Sequence, residues 1–215
     1  MTSIRSFRTH PLPRAIAIAC VLGVASLWSA ACAGSGQDKA PKETPYVGVI
    51  DSALPIDTLL RRFRATLVDT PTTLVGGTSS RAALARQLLT ALATRDPASV
   101  RRLVLSRAEF AWLYYPHTKF TAPPYELGPE LVWIPLIGAS EKGAGRLLER
   151  LGGRTLRYER LLCPDSSVVE GPNRITTGCA VRFSIADSAA VELRLFSSFV
   201  ERDGRVKVLS YANDL

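Results

Sequence analysis

The segment VELRLFSSFVERDGRVKVLSY, residues 191–211, decides the fold class. Val191, Leu193, Leu195 and Phe199 alternate with Glu192, Arg194 and Ser198. That two-residue period belongs to a strand with one buried and one wet face. Asp203-Gly204 then interrupts it, and both residue types accept the positive φ of a two-residue hairpin turn. Strands are therefore expected over 190–201 and 205–211, paired antiparallel. Upstream, 154–163 and 178–185 also read as strands, so the C-terminal third is a meander of four.

Further upstream the period lengthens to that of a helix. Ile56, Leu59, Leu60, Phe63 and Leu67 predict a helix over 56–67, broken by Pro71 and Gly76-Gly77. Ser79 and Ser80 are N-cap candidates for 80–94, which carries Leu84, Leu88, Leu89 and Leu92. Asp96-Pro97 suits the start of a short helix over 97–104. Ser106 and Glu109 have capping-box spacing, placing another helix over 107–115. Residues 116–130 hold Pro116, Pro123, Pro124 and Pro129 and read as a loop. Leu131–Ile137 (LVWIPLI) is expected as a short edge strand, because Pro135 cannot donate to a ladder. Ser140 would cap a helix over 140–151, stopped by Gly152-Gly153. Helices followed by a strand meander define an α+β domain over 51–215, with N-terminal helices packed on an antiparallel sheet of about four to five strands.

This order resembles the nuclear-transport-factor-2-like, or ketosteroid-isomerase-like, cone. The closest stretches are Leu88–Leu103 (LLTALATRDPASVRRL) and Phe196–Asn213 (FSSFVERDGRVKVLSYAN). The resemblance implies a curved sheet that wraps helices and leaves a pocket at its open end.

Residues 1–31 read as an export leader. Arg5, Arg8 and Arg14 form a basic start, and Ala15–Leu27 is an apolar run too short for a membrane span. The segment Leu27-Trp28-Ser29-Ala30-Ala31-Cys32 resembles a bacterial lipoprotein signal. The resemblance implies cleavage before Cys32 and acylation of that residue, with Ala33 favouring the outer membrane. Ordinary cleavage after Ala31 or Ala33, giving a soluble periplasmic or secreted protein, is the alternative. Residues 32–50 are polar and read as a flexible tether.

Removing the leader changes the arithmetic. The whole chain has 27 basic and 19 acidic residues, a balance of +8. Without Arg5, Arg8 and Arg14 it has 24 against 19, or +5. The remaining Arg residues are scattered from Arg61 to Arg205 among acids. A nucleic-acid surface shows a clustered basic stripe, so no nucleic-acid partner is expected. Of the four Cys, Cys20 leaves with the leader and Cys32 is the proposed lipid site. Cys163 and Cys179 are expected to form a disulfide in an oxidising compartment. A metal site is the rival, but two Cys with no His nearby lack the usual ligand set. No metal and no cofactor are expected.

Candidate functional residues concentrate between Phe110 and Trp133. That stretch holds seven of the 14 aromatics left after Phe7 and Trp28 are removed. Glu109, Trp112, Tyr114, Tyr115, His117, Tyr125, Glu126 and Trp133 form the candidate pocket. Aromatic walls with a few polar groups suit a small apolar ligand. Equally, Phe110, Trp112 and Trp133 could plug the domain while the Tyr residues cap it. Catalytic residues cannot be assigned, because no spacing selects them. Gly138-Ala-Ser-Glu-Lys-Gly143 has a phosphate loop's first glycine spacing but lacks the following Lys-Ser/Thr. Three functions are open: a non-enzymatic envelope lipoprotein binding a small hydrophobic ligand or an envelope partner, an enzyme using Glu109 or Glu126 with a Tyr in acid–base chemistry, or a structural and assembly component.

Overall fold

The structure, a computed structural model, describes residues 54–213 and 215. The leader, Cys32 and the tether to residue 50 lie outside the described residues. The helices are α1 (Ile56–Ala65), α2 (Arg81–Ala93), α3 (Pro97–Leu103), α4 (Arg107–Glu109) and α5 (Pro129–Leu151). The strands are β1 (Leu156–Leu162), β2 (Val168–Glu170), β3 (Asn173–Thr177), β4 (Ala180–Ile185), β5 (Val191–Leu193), β6 (Ser198–Arg202) and β7 (Arg205–Ser210). The fold is α+β, with antiparallel sheets ordered β1-β4-β5 and β2-β3-β6-β7. Among the described residues, no helix is long and apolar enough to cross a membrane.

The local signals act as their chemistry requires. Ser80 Oγ accepts from Ala83 N–H (3.1 Å) and Asp96 Oδ1 from Ser99 N–H (2.9 Å), capping α2 and α3. Asp203 and Gly204 both have positive φ, 49° and 71°, and close the β6–β7 hairpin with Arg202 opposite Arg205.

Four expectations are corrected. Leu131–Ile137 is helix, not edge strand, so the helix expected over 140–151 is only the second half of α5. Pro135 lies on α5's exposed face, while Trp133 packs inward. The three-to-four-residue apolar spacing thus outweighs one lost backbone donor. Residues 107–115 are not one α-helix. They form α4, then a π-helical turn over Phe110–Tyr114, then a 3₁₀ turn over Tyr115–His117. The expected strand 190–201 breaks into β5 and β6, with buried Leu195 and Phe196 at the crossing from one sheet to the other. The loop between the two Cys contains β2 and β3, joined at Gly171 (φ 58°). Among the described residues the strands therefore number seven, in two antiparallel sheets, where four to five in one sheet were expected.

Cys163 and Cys179 lie at disulfide distance with Cα atoms 4.2 Å apart, beside the β1–β4 pair. Leu161 faces Val181 and Arg160 faces Arg182, two and three residues back from Cys163, in step with a Cys163–Cys179 pairing. A bulge then displaces Glu159, so Tyr158 rather than Glu159 faces Phe183. The bulge turns Glu159 onto Arg182 at 2.9 Å, and Glu192 approaches the same guanidinium at 3.0 Å. Two carboxylates thereby offset the repulsion of the facing arginines on a half-exposed surface. Closing a loop of 16 residues contributes about 3 kcal/mol in the chain-entropy model. A Cys163→Ser/Cys179→Ser variant should lose roughly that stability in urea unfolding, with a slope equal to or steeper than the wild type's because the freed unfolded chain exposes more surface. A loss below about 1 kcal/mol would mean that the cross-link constrains little of the unfolded chain.

Two buried clusters form the interior. One joins α2 and α3 to Phe183, Phe196, Phe199 and Tyr211. The other joins α1 and the first half of α5 to Phe110, Tyr114, Tyr115, Ile175, Val200 and Leu209.

Candidate functional site

The aromatic segment begins at a complete capping box. Ser106 Oγ accepts from Glu109 N–H (3.1 Å), and Glu109 Oε2 accepts from Ser106 N–H (2.7 Å). Glu109 is buried, and both oxygens of its carboxylate are engaged. Oε1 accepts from Val75 N–H at 2.7 Å, and Oε2 meets Lys207 Nζ at 2.8 Å. Lys207 also donates to the Val75 carbonyl (3.0 Å). This ion pair joins α4 and the 74–78 segment to β7.

The aromatics that follow fill the domain. Phe110 sits 5.0 Å from the Trp133 ring, 5.6 Å from Tyr115 and 6.0 Å from Tyr114, centroid to centroid. Tyr115 donates to the Leu127 carbonyl at 2.6 Å, and burial pushes its phenol up to about 12. Burial, then the charge of Glu170, raises the Tyr114 phenol. Neither hydroxyl is poised to ionise near neutral pH. The π-helical turn aims the Leu113 carbonyl at β3 and β6, where Asn173 Nδ2 (2.9 Å) and Arg202 (2.8 Å) both donate to it.

The remaining candidates scatter. Trp112 is half-buried beneath the Arg64 guanidinium, 4.0 Å from its ring. His117 is exposed and covers the β2–β3 turn at Gly171. Partial desolvation of its ring against that turn, then nearby Arg202, lowers its pKa. Tyr125 and Glu126 are exposed on the Pro-rich loop, where Lys119 approaches the Tyr125 ring at 5.1 Å. The eight residues read from the sequence therefore do not line one pocket. Tyr114, Tyr115 and Trp133 are core, Glu109 is a structural clamp, and the other four lie at or near the surface.

Trp133 has a second side. With Ile137, Ala144 and Leu148 it lines one wall of a groove between α3 and α5. Val100, Val104 and Leu105 line the other, and Tyr211 also borders it. The groove measures about 420 Å³, within the range of small-molecule sites. Arg101, Arg107 and Glu141 supply its charged groups, and Arg107 is paired with Glu130 at 3.2 Å. Two buried polar groups at the floor are paired, while Arg107 Nε is buried without a hydrogen-bond partner. Ser140 Oγ accepts from Tyr211 N–H (3.1 Å), and the Tyr211 hydroxyl donates to the Val100 carbonyl (2.9 Å). Such a surface binds mainly by apolar contact, with Arg101 and the exposed Glu141 as its charged groups.

The groove escaped sequence reasoning because its walls lie about 30 to 50 positions apart and look like ordinary core positions. The only available signal was α5 itself, which has no charged residue between Glu130 and Glu141. A helix that is apolar all round needs a second partner.

Several of the dispersed arginines have partners. Arg81 meets Glu201 at 2.7 Å, Arg174 donates to Ser167, and Arg205 donates to the Gly77 carbonyl. Among the described residues, no group of three or more His, Cys, Asp or Glu is placed to hold a metal ion. No protein-family model, curated protein or solved structure matches the chain.

Proposed function

We propose that this chain is an exported, non-enzymatic lipoprotein of the cell envelope whose α3–α5 groove holds a small hydrophobic molecule. The groove carries the reading. It is open, it is walled by Val100, Val104, Trp133, Ile137 and Leu148, and the Ser140 and Tyr211 hydroxyls on its floor are already engaged. The lipoprotein-like signal at Cys32 supplies the address. The resemblance to the ketosteroid-isomerase-like cone is kept as a proposal about ancestry, and fold alone would not assign an activity. Acid–base catalysis is the weaker reading, because Glu109 is locked to Lys207 and Glu126 lies in the open.

Titration with the neutral fluorescent probe N-phenyl-1-naphthylamine tests the proposal. One saturable site per chain is expected. Ala144→Phe, which fills the groove from α5, should weaken binding by about tenfold or more, since a blocked apolar site loses most of its buried contact. Its melting temperature should stay near that of the wild type. Absence of saturable binding, or equal binding by the variant, would refute the groove.

A further inference from the structure

The described residues carry nine exposed large hydrophobic side chains, and four of them, Tyr125, Leu127, Leu131 and Ile134, fall within ten consecutive positions. Leu131 and Ile134 are 66% and 57% exposed, and Pro135 extends the same face of α5. Spacings of three and four place these residues side by side on a helix. Scattered exposed leucines need no explanation, but a contiguous apolar face does.

Two observations say what covers it. First, the chain enters the domain beside this face. Leu59 of α1 packs on Gly128, the residue before α5, where an added Cβ would lie 2.9 Å from Leu59 Cδ1. The 22 residues Ala33–Leu54 lead to that point from Cys32. An unstructured chain of that length has a root-mean-square span of about 26 Å. An acyl anchor at Cys32 would therefore hold α5 within reach of the bilayer. Second, the face has an interfacial border. Tyr125 is 46% exposed with Lys119 Nζ 5.1 Å from its ring, and Lys142 lies eleven residues beyond Leu131 on the same side of α5. Aromatic rings and lysines with apolar stems and polar tips suit the headgroup layer.

We infer that the Tyr125–Pro135 face rests on the lipid surface carrying the Cys32 anchor. This rests on the lipoprotein reading and adds an orientation to it. Leu127, Leu131 and Ile134 enter the acyl boundary, while Tyr125 and Lys119 sit among headgroups. The groove on the neighbouring side of α5 then lies close to the membrane, a source of apolar molecules.

The test uses the full lipidated chain in vesicles of phosphatidylethanolamine and phosphatidylglycerol, with and without acyl-brominated lipid. Single thiols are introduced as Ile134→Cys or Leu131→Cys, with Val68→Cys, at a position 98% exposed, as the control. Each is labelled with an environment-sensitive fluorophore. Labels at 134 and 131 should be quenched by brominated lipid about threefold or more above the label at 68, as expected for side chains at the acyl boundary. Vesicle co-flotation with equal quenching at all three positions would overturn the docking face and leave the anchor standing. Failure to co-float would overturn both. Shielding of labels 131 and 134 without lipid quenching would place a second copy of the chain there and overturn the lipid as occupant.

Discussion

Lys207→Met should destabilise the domain by about 3–5 kcal/mol, the usual cost of leaving a buried charge unpaired. Glu109 and Lys207 are 1% and 3% exposed, so water cannot replace the lost partner. The carboxylate would keep its bonds from Val75 and Ser106 N–H but lose its only cation among the described residues. Loss of so large a share of a typical domain's stability should appear as a large fall in the urea midpoint, or as failure to accumulate in the folded state. The double variant Glu109→Gln/Lys207→Met should recover part of the loss, because it removes both charges. A single-variant loss below about 1 kcal/mol would mean that the pair is hydrated and not a clamp. The double variant also separates structure from chemistry, since a residue that only holds the fold is rescued by restoring the fold.

Gly143→Ala is the second large effect. A methyl at this helical position would lie 2.6 Å from the Tyr211 carbonyl carbon and closer still to its oxygen. Both atoms are backbone, so no side chain can rotate away. Asn213 Nδ2 also ties the Gly143, Leu195 and Tyr211 carbonyls together, at 3.2, 3.4 and 2.8 Å. Relieving the overlap requires α5 to withdraw from the end of β7, which breaks that network. Overpacking ordinarily costs 1–3 kcal/mol, and a backbone collision belongs at or above about 3 kcal/mol. Gly138→Ala provides the contrast, because an added Cβ there meets nothing within 4 Å. That change should stabilise α5 by about 0.5–1 kcal/mol through helix propensity. Equal effects at the two positions would contradict the close approach of α5 to β7.

The Gly138–Gly143 segment also illustrates what a sequence conceals. Its spacing hints at a phosphate loop, yet Gly143 is small because a strand end passes over it. Elements governed by neighbours in sequence were legible. The Ser106/Glu109 capping box, the Ser80 and Asp96 caps and the Asp203-Gly204 hairpin all follow from local chemistry. Elements governed by distant partners were not. Pro135 argues against a strand but is tolerated in a helix whose exposed face it occupies. The β2–β3 hairpin hides among the turn residues of the loop between the cysteines, where only the short β-branched runs Val168-Val169 and Ile175-Thr176-Thr177 hint at it. The bulge at Glu159 depends on where Arg182 needs a carboxylate. For the site, aromatic density identified the right segment but not its role. Side chains 20 residues apart can line a pocket or fill a core, and only packing decides between them.

The central claim is that the groove beside Trp133 is filled by a small apolar molecule in the envelope. Native mass spectrometry of the chain isolated from membranes by mild detergent tests it most directly. The wild type should carry a non-covalent adduct of small-molecule mass at a single site, released by organic solvent, while Ala144→Phe should be folded and adduct-free. An adduct-free wild type, or an adduct retained equally by Ala144→Phe, would contradict the account.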